Sequence, residues 1–498
     1  MNTWLLAATL ASSLFAGLLI FCLPERSVRL RTTINLAAAL LKLACVAGML
    51  WGTEQGQQYE LRLPFLPGND FLLRADTLGL LFMTLSAVLW LFTTIYAIGY
   101  LEGSPHRSRF FGFFSLCVTA TVGIAMAGNL ATFFLFYELL TLATYPLVVH
   151  RGTPKALAGG ARYLAYTLGG GALLLAGIVG LQSLVGTVEF RFGGVAALRD
   201  AGDPIVLAAL FALLVAGMGV KAALFPLHGW LPHAMVAPAP VSALLHAVAV
   251  VKAGAFGIVR LVYEVFGIET AQSLGVLTPL AVLAAFTILL GSFRALAQDD
   301  LKRRLAYSTV SQVSYIVLGV ALFGPMGTIG GLVHLVHQGI MKITLFFCAG
   351  NYAETLGIHR VSELAGVGRR MPWTTAAFTV AALGMIGLPP MAGFVSKWYL
   401  GLGALEADMG WVLAVLLLSS LLNAAYFLPI LHSAWFDPLP DGQPGTTTTA
   451  PVRNEASPAL LGPTLAAATL VLAFGLLAGT AWSPLGWVER IASEAYSP

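Results

Sequence analysis

The sequence predicts an all-α polytopic membrane protein of about 14 transmembrane helices, and three observations lead there. Of the 498 residues, 58% are hydrophobic and only 10% charged, whereas a soluble domain carries about 25% charged residues. Mean hydropathy is +0.83. Apolar runs of about 20 residues, the length that crosses a bilayer, recur from one end of the chain to the other. This composition excludes a soluble domain, a disordered chain and a nucleic-acid binder. Cys22, Cys45, Cys117 and Cys348 lie in apolar runs without C-x-x-C spacing, so neither a disulfide framework nor a thiolate metal site is expected.

In chain order the spans centre at roughly 13, 42, 88, 118, 139, 172, 214, 250, 286, 314, 338, 386, 421 and 470. The first, Thr3 to Leu23, lacks a basic leader and runs into Pro24-Glu25-Arg26, so it reads as a retained helix rather than a signal peptide. Loops on one side hold fifteen arginines and lysines, from Arg26 to Arg453; the side of the termini holds five, Arg62, Arg74, Arg191, Arg199 and Arg490. That asymmetry places both termini away from the cytoplasm of a prokaryotic plasma membrane. The longest polar stretches are 52–76, 186–203, 351–372 and 436–458. The last contains Asp441-Gly-Gln-Pro-Gly-Thr-Thr-Thr-Thr and reads as a flexible linker.

Seven cations fall within or near spans: Lys42, Arg162, Lys221, Lys252, Arg260, Lys342 and Lys397. Arg162 and Arg260 lie near helix ends and are expected to snorkel. Lys42 is mid-span, yet its helix could slide to expose it. The other four are deep, and each costs a few kcal/mol in hydrocarbon unless it meets water or a partner. Glu138 is the one acid expected clearly in mid-span. A single Glu–Lys pair could serve only to orient two helices. Four lysines and one acid cannot be paired off, so the surplus must be hydrated or shed protons, as in a proton relay. His246 precedes Lys252 by less than two turns, while His334, His337 and Lys342 share one helix, with the two histidines on one face. No carboxylate or cysteine stands beside them on that helix to complete a metal site, so none is expected.

Two spans are interrupted alike. One reads Gly219-Val-Lys-Ala-Ala-Leu-Phe-Pro-Leu-His-Gly-Trp-Leu-Pro-His, the other Gly384-Met-Ile-Gly-Leu-Pro-Pro-Met-Ala-Gly-Phe-Val-Ser-Lys. Proline removes a donor and frees carbonyls, which is tolerated at membrane depth only when buried or facing a watery cavity. A lysine stands beside each break, Lys221 and Lys397. The breaks fall fourth in each of two five-helix units, 110–265 and 275–435, and an odd span count inverts the second copy. Residues 1–109 then form an N-terminal three-helix segment, and 436–498 the linker, last span and short tail.

These residues resemble the antiporter-like subunits shared by respiratory complex I, membrane-bound hydrogenases and Mrp-type cation/proton antiporters. The resemblance rests on Arg74-Ala-Asp-Thr-Leu-Gly-Leu-Leu-Phe, the Tyr-Glu-Leu-Leu run at 137–140, Phe-Pro-Leu-His-Gly-Trp-Leu-Pro from 225, and Ala239-Pro-Val-Ser-Ala-Leu-Leu-His. Asp300-Leu-Lys-Arg-Arg-Leu-Ala-Tyr-Ser-Thr-Val-Ser-Gln, the stretch 334–350 and the stretch 387–398 extend it over most of 70–435. It implies fourteen helices with two inverted five-helix repeats, and termini outside. It also implies a charge pair of Glu138 and Lys221, a central relay at Lys252 with His246 beside it, a polar span with His334, His337 and Lys342, and a terminal group at Lys397. Tyr137 stands where many members have Trp, and Lys397 where one complex I member has Glu. Chain length and Lys397 point to an Mrp D-type subunit.

The expected function is proton movement along this Glu/Lys/His relay within a multisubunit membrane complex, with Na⁺ as a second candidate ion. No nucleotide, flavin or iron–sulfur motif is present, so no cofactor is expected and the energy must come from homologous and small partner subunits or a counter-ion gradient. Moving one charge against 100 mV takes about 2.3 kcal/mol. The chain would count as an enzyme only within a redox-driven translocase. Rival readings are a redox-driven pump subunit, a membrane partner of inorganic-carbon uptake, and a scaffold that transports nothing.

Overall fold

The computed structural model describes residues 3–438 and 454–496. The linker sequence 441–449 and Arg453 lie outside the described residues. The chain opens with α1 (Thr3–Phe21) and α2 (Val28–Glu54), then a hairpin of β1 (Glu60–Leu66) and β2 (Asn69–Arg74). Next come α3 (Thr77–Tyr100), α4 (Arg107–Met126), α5 (Leu130–Val148), α6 (Pro154–Val185), the single turn α7 (Ala197–Asp200) and α8 (Pro204–Lys221). After α8 the chain breaks into short turns around α9 (Trp230–His233), then resumes as α10 (Ala239–Ala247) and α11 (Val250–Arg260), which continues as a π-helical turn over Leu261–Phe266. The second half contains α12 (Ile268–Ser273), α13 (Leu277–Leu296), α14 (Leu301–Ala321), α15 (Pro325–Leu356) and α16 (Val367–Arg370). It ends with α17 (Pro372–Ile386), α18 (Ala392–Glu406), α19 (Trp411–Phe436), α20 (Pro458–Leu476) and α21 (Pro484–Ala495).

Every expected span centre falls on a helix. Among the described residues, twelve segments are long and apolar enough to cross a membrane, counting Ala239–Phe266 as one. Two expected spans fall outside that set for identifiable reasons. α14 has the length but opens on Lys302, Arg303 and Arg304 and carries Ser308, Thr309, Ser311, Gln312 and Ser314. α17 and α18 have 15 residues each and are separated by the Pro389-Pro390 break.

Helix starts follow from local sequence. Asp76, Asn129, Thr153 and Asp300 each accept a hydrogen bond from a backbone N–H of the first turn, and Pro154 and Pro204 sit where no donor is needed. α15 and the Ala239–Phe266 segment are enclosed by other helices along their whole apolar windows. α15 packs against α3, α10, α14, α17, α18 and α20 and forms the axis of the molecule. The helices bearing His246, Lys252, His334, His337 and Lys342 are therefore the ones most shielded from lipid.

The predicted helical membrane fold stands, and the polar 52–76 stretch adds one antiparallel hairpin to it, with Glu60 opposite Arg74 and Leu63 opposite Phe71. Its charges close a network: Arg62 pairs with Asp70 at 3.1 Å and Glu189 at 2.9 Å, and Arg74 with Glu60 at 2.8 Å. One expectation is corrected: Arg260 does not snorkel. It is fully buried, donates to the Asp76 carboxylate at 2.6 Å, to Glu264 one turn on, and to Ala125 O at 3.0 Å. Glu264 is thus a second buried acid, held by Arg260. Arg260→Leu would leave Asp76 and Glu264 facing each other without their cation. It should cost about 3 kcal/mol, read as a lowered unfolding temperature and poor recovery of the solubilised chain, with Arg260→Lys recovering part of the loss.

Candidate functional site

α5 presents Tyr137 and Glu138 toward the end of α8. The Tyr137 hydroxyl donates to Gly217 O and Met218 O, and Trp230 Nε1 donates to Val220 O at 2.7 Å. Side chains thereby add second hydrogen bonds to carbonyls near the end of α8, where Met218 O and Val220 O also accept from the backbone N–H groups of Ala222 and Ala223. Lys221, fully buried in the last turn of α8, donates to Tyr137 O and lies 3.4 Å from the centre of the Tyr137 ring. Among the described residues Glu138 has no ion-pair partner within 4.0 Å, and its Oε1 is buried without a hydrogen bond. Lys221 is held by the residue before Glu138, so the expected pair is adjacent but open. Gly171 on α6 leaves room for the carboxylate: a Cβ there would stand 2.5 Å from Glu138 Oε1.

α11 lies against the same end of α8 through Gly254, where a Cβ would meet Met218 O at 2.6 Å and the Lys221 carbonyl carbon at 2.8 Å. One half-turn earlier, Lys252 donates to Leu335 O of α15 at 2.7 Å. A third interruption, at Val248-Ala249, separates Lys252 from His246. No proline marks it, and nothing else in the local sequence signals it. The His246 ring stacks on Phe346 at 4.4 Å, and neither ring nitrogen finds a partner among the described residues.

On α15, His334 Nδ1 is 2.8 Å from Ser396 Oγ. His334 Nε2, both His337 nitrogens, both polar atoms of Gln338 and of Gln312, and the Tyr315 hydroxyl are buried and unpartnered among the described residues. Each such group costs about 1–3 kcal/mol when left without a partner. Lys252 lies within Coulomb range of His334 and Lys342.

From Lys342 a continuous hydrogen-bonded file leads outward. Lys342 Nζ donates to Ser308 Oγ at 2.7 Å; Ser308 Oγ also accepts from the Tyr426 hydroxyl at 2.8 Å. Tyr426 is bonded to Asn423 Oδ1, Asn423 Nδ2 donates to Met385 O at 3.3 Å, and Met385 O accepts from Lys397 Nζ at 3.1 Å. Lys397 also donates to Ile386 O at 2.7 Å and Ser420 Oγ at 2.9 Å. It thus caps the carbonyl end of α17 at the second break, where a cation is favoured. Lys397 is half-buried, unlike Lys221, Lys252 and Lys342.

The structure therefore groups Glu138 with Lys221, Lys252 with α15, and Lys342 with Lys397. Ser308, Asn423, Tyr426 and Ser420 are not among the residues that sequence reasoning selects. A signal exists, because Ser419, Asn423 and Tyr426 form a polar stripe at helical spacing on an otherwise apolar span. Lys42 proves fully buried, donating to Ser13 Oγ at 2.6 Å and lying 5.0 Å from the Trp90 ring centre. Arg162 is exposed on α6, in keeping with snorkelling.

Residues 127–423, more than half of the chain, match the family described as NADH:quinone oxidoreductase/Mrp antiporter, transmembrane. The chain belongs to this family of antiporter-like membrane subunits. Residues 69–111 also match the N-terminal segment of complex I chain 5. The chain is 37% identical over 481 residues to the N subunit of NADH-quinone oxidoreductase from Desulforudis audaxviator, covering 93% of this chain and 94% of the relative. It is 27% identical to the D-type subunit of the Na(+)/H(+) antiporter of Bacillus subtilis over 100% of this chain and 98% of the relative. In solved structures, a chain of the Mrp complex from Dietzia sp. DQ12-45-1b superposes with a TM-score of 0.85 at 26% identity, covering 100% and 98% of the two chains. This member of the family is accordingly a multi-pass membrane protein.

Two glycine substitutions separate the site's chemistry from its packing. In Gly171→Ala the new methyl first meets the movable carboxylate end of Glu138, so the protein should assemble normally while transport falls several-fold. In Gly254→Ala the methyl meets the α8 backbone, so both assembly and transport should fall. Subunit recovery alongside vesicle transport distinguishes the two results.

Proposed function

We propose that this chain is the proton-translocating subunit of a multisubunit membrane complex, carrying protons from the Glu138–Lys221 region through Lys252 and α15 to Lys397. The observation that carries this reading is the unbroken file Lys342–Ser308–Tyr426–Asn423–Met385 O–Lys397. It joins two lysines without a carboxylate; the Ser308 and Tyr426 hydroxyls can rotate and exchange a proton, while Asn423 Nδ2 and Lys397 Nζ both donate to the Met385 carbonyl, so the last step to Lys397 passes through water beside that carbonyl. Glu138, with an oxygen free of hydrogen bonds, can swing toward or away from Lys221. Its charge then alters how firmly Lys221 holds its proton, and Lys252, held only by a carbonyl, responds in turn. His334, His337 and the unpartnered amides beside them hold the water that bridges Lys252 to the file.

The homologous partners implied by the family supply the energy. Chain length and Lys397 support an Mrp D-type subunit in which a Na⁺ gradient drives or consumes the proton flux. The 37% likeness to an N subunit of NADH-quinone oxidoreductase over nearly the full chain supports a second reading, a redox-driven complex. In both, the excess of basic residues on loops opposite the termini supports a plasma-membrane orientation with the termini outside. The two breaks, each beside a lysine, support two inverted five-helix units over 110–265 and 275–435.

The test is proton transport by the intact complex in vesicles, comparing wild type with Glu138→Ala and Lys252→Ala after confirming subunit recovery. Both variants should assemble and lose transport; normal transport in both would make the buried charges structural. Added Na⁺ should dissipate an imposed pH gradient if the drive is antiport. A quinone-linked reductant should create one if the drive is redox chemistry.

A further inference from the structure

The relay uses neither the cations of the loop-rich basic end nor the cavity between them. At that end, between α6, the turns after α8, the start of α14 and the end of α15, lies a cavity of about 560 Å³. Arg151, Lys155, Arg162, Lys302 and Arg303 all line it. Among the described residues the single acid in its wall, Asp300, already accepts from the Arg303 backbone N–H at 2.8 Å. Among the described residues none of the five cations forms an ion pair. Lys302 donates to Ala237 O at 2.6 Å, and Arg151 reaches the Tyr100 hydroxyl at 3.4 Å. Lys155 and Arg162 are exposed into the opening.

Five cations converging on one concavity with low-dielectric walls focus a positive potential that a bound anion relieves. We propose that this cavity binds a phosphate-bearing anion. Several cations on separate walls suit a group with several charged oxygens, and arginine forks match phosphate geometry. The volume is several times that of a bare phosphate and falls within the roughly 300–1,000 Å³ of small-molecule sites. Val236, Leu301 and Ile358 add an apolar flank for a carbon skeleton beside the phosphate. The cavity opens at the end that the charge asymmetry assigns to the cytoplasm, where anionic lipid headgroups are concentrated. A phospholipid headgroup and a soluble phosphorylated compound share the recognising chemistry. The recessed shape favours either over an acidic segment of a neighbouring subunit.

The experiment uses the intact complex after delipidation and measures binding of labelled dioctanoyl phosphatidylglycerol. Inorganic phosphate and dioctanoylglycerol serve as competitors. Lys155→Gln/Arg162→Gln is the informative variant, because both side chains are exposed and bear no hydrogen bond that folding requires. Saturable binding is expected, weakened about tenfold or more in the variant and not displaced by dioctanoylglycerol. Displacement by millimolar inorganic phosphate would identify a soluble phosphate as the natural ligand; resistance to it would identify the lipid. The proposal is overturned if no saturable binding occurs or if the variant binds as tightly as wild type. It is equally overturned if binding emerges only when a partner subunit is stripped away, since the partner's acidic segment would then be the occupant.

Discussion

An ammonium group at membrane depth must find oxygen ligands, and in this protein it finds them without carboxylates. Lys42, Lys221, Lys252 and Lys342 are fully buried, and each is held by a backbone carbonyl, a hydroxyl or both. A tight ion pair would fix such a charge, because separating a buried pair costs several kcal/mol. A carbonyl or serine holds it more loosely and leaves it free to exchange its proton. The interrupted helices follow from this requirement. A continuous helix uses its own carbonyls, whereas the ends at Lys221 and at Ile386 expose them to side chains of neighbouring helices.

Arg260 is treated differently from these lysines, because two acids and a carbonyl enclose it. Asp76 caps α3 and pairs with Arg260 at the same time, so the start of α3 is locked to the end of the segment that carries Lys252. The hairpin network of Arg62, Arg74, Glu60 and Glu189 lies at the same end of the bundle. Among the described residues, rigid pairing there contrasts with the interior lysines and the cations around the opposite cavity, none of which forms an ion pair.

Much of this is legible in the sequence because the bilayer imposes a strong code. Apolar length locates the helices, and the prolines beside Lys221 and Lys397 locate two breaks. The interruption between His246 and Lys252 is not legible, since Val248 and Ala249 are ordinary helix residues and tertiary packing on α15 dictates their conformation. For Arg260, proximity to a helix end suggests snorkelling but says nothing about whether a neighbouring element covers it; here the polar stretch 52–76 folds and delivers Asp76. The linking residues Ser308, Asn423 and Tyr426 escape notice because a hydroxyl or amide in a span is cheap enough to be unremarkable. Only their alignment across α14 and α19 makes them a continuous hydrogen-bonded file.

In the function proposed above, protons cross the second half of the molecule along the file from Lys342 toward Lys397, and Tyr426 is the link with no alternative in it. Its phenyl ring packs against Phe427 at 4.7 Å, so Tyr426→Phe keeps the packing and removes only the hydroxyl between Ser308 and Asn423. The measurement is the initial rate of proton transport by the assembled complex in sealed vesicles, wild type against Tyr426→Phe at equal subunit recovery. A rate reduced about tenfold or more is the predicted result. A rate equal to wild type would contradict the file as the route of the proton.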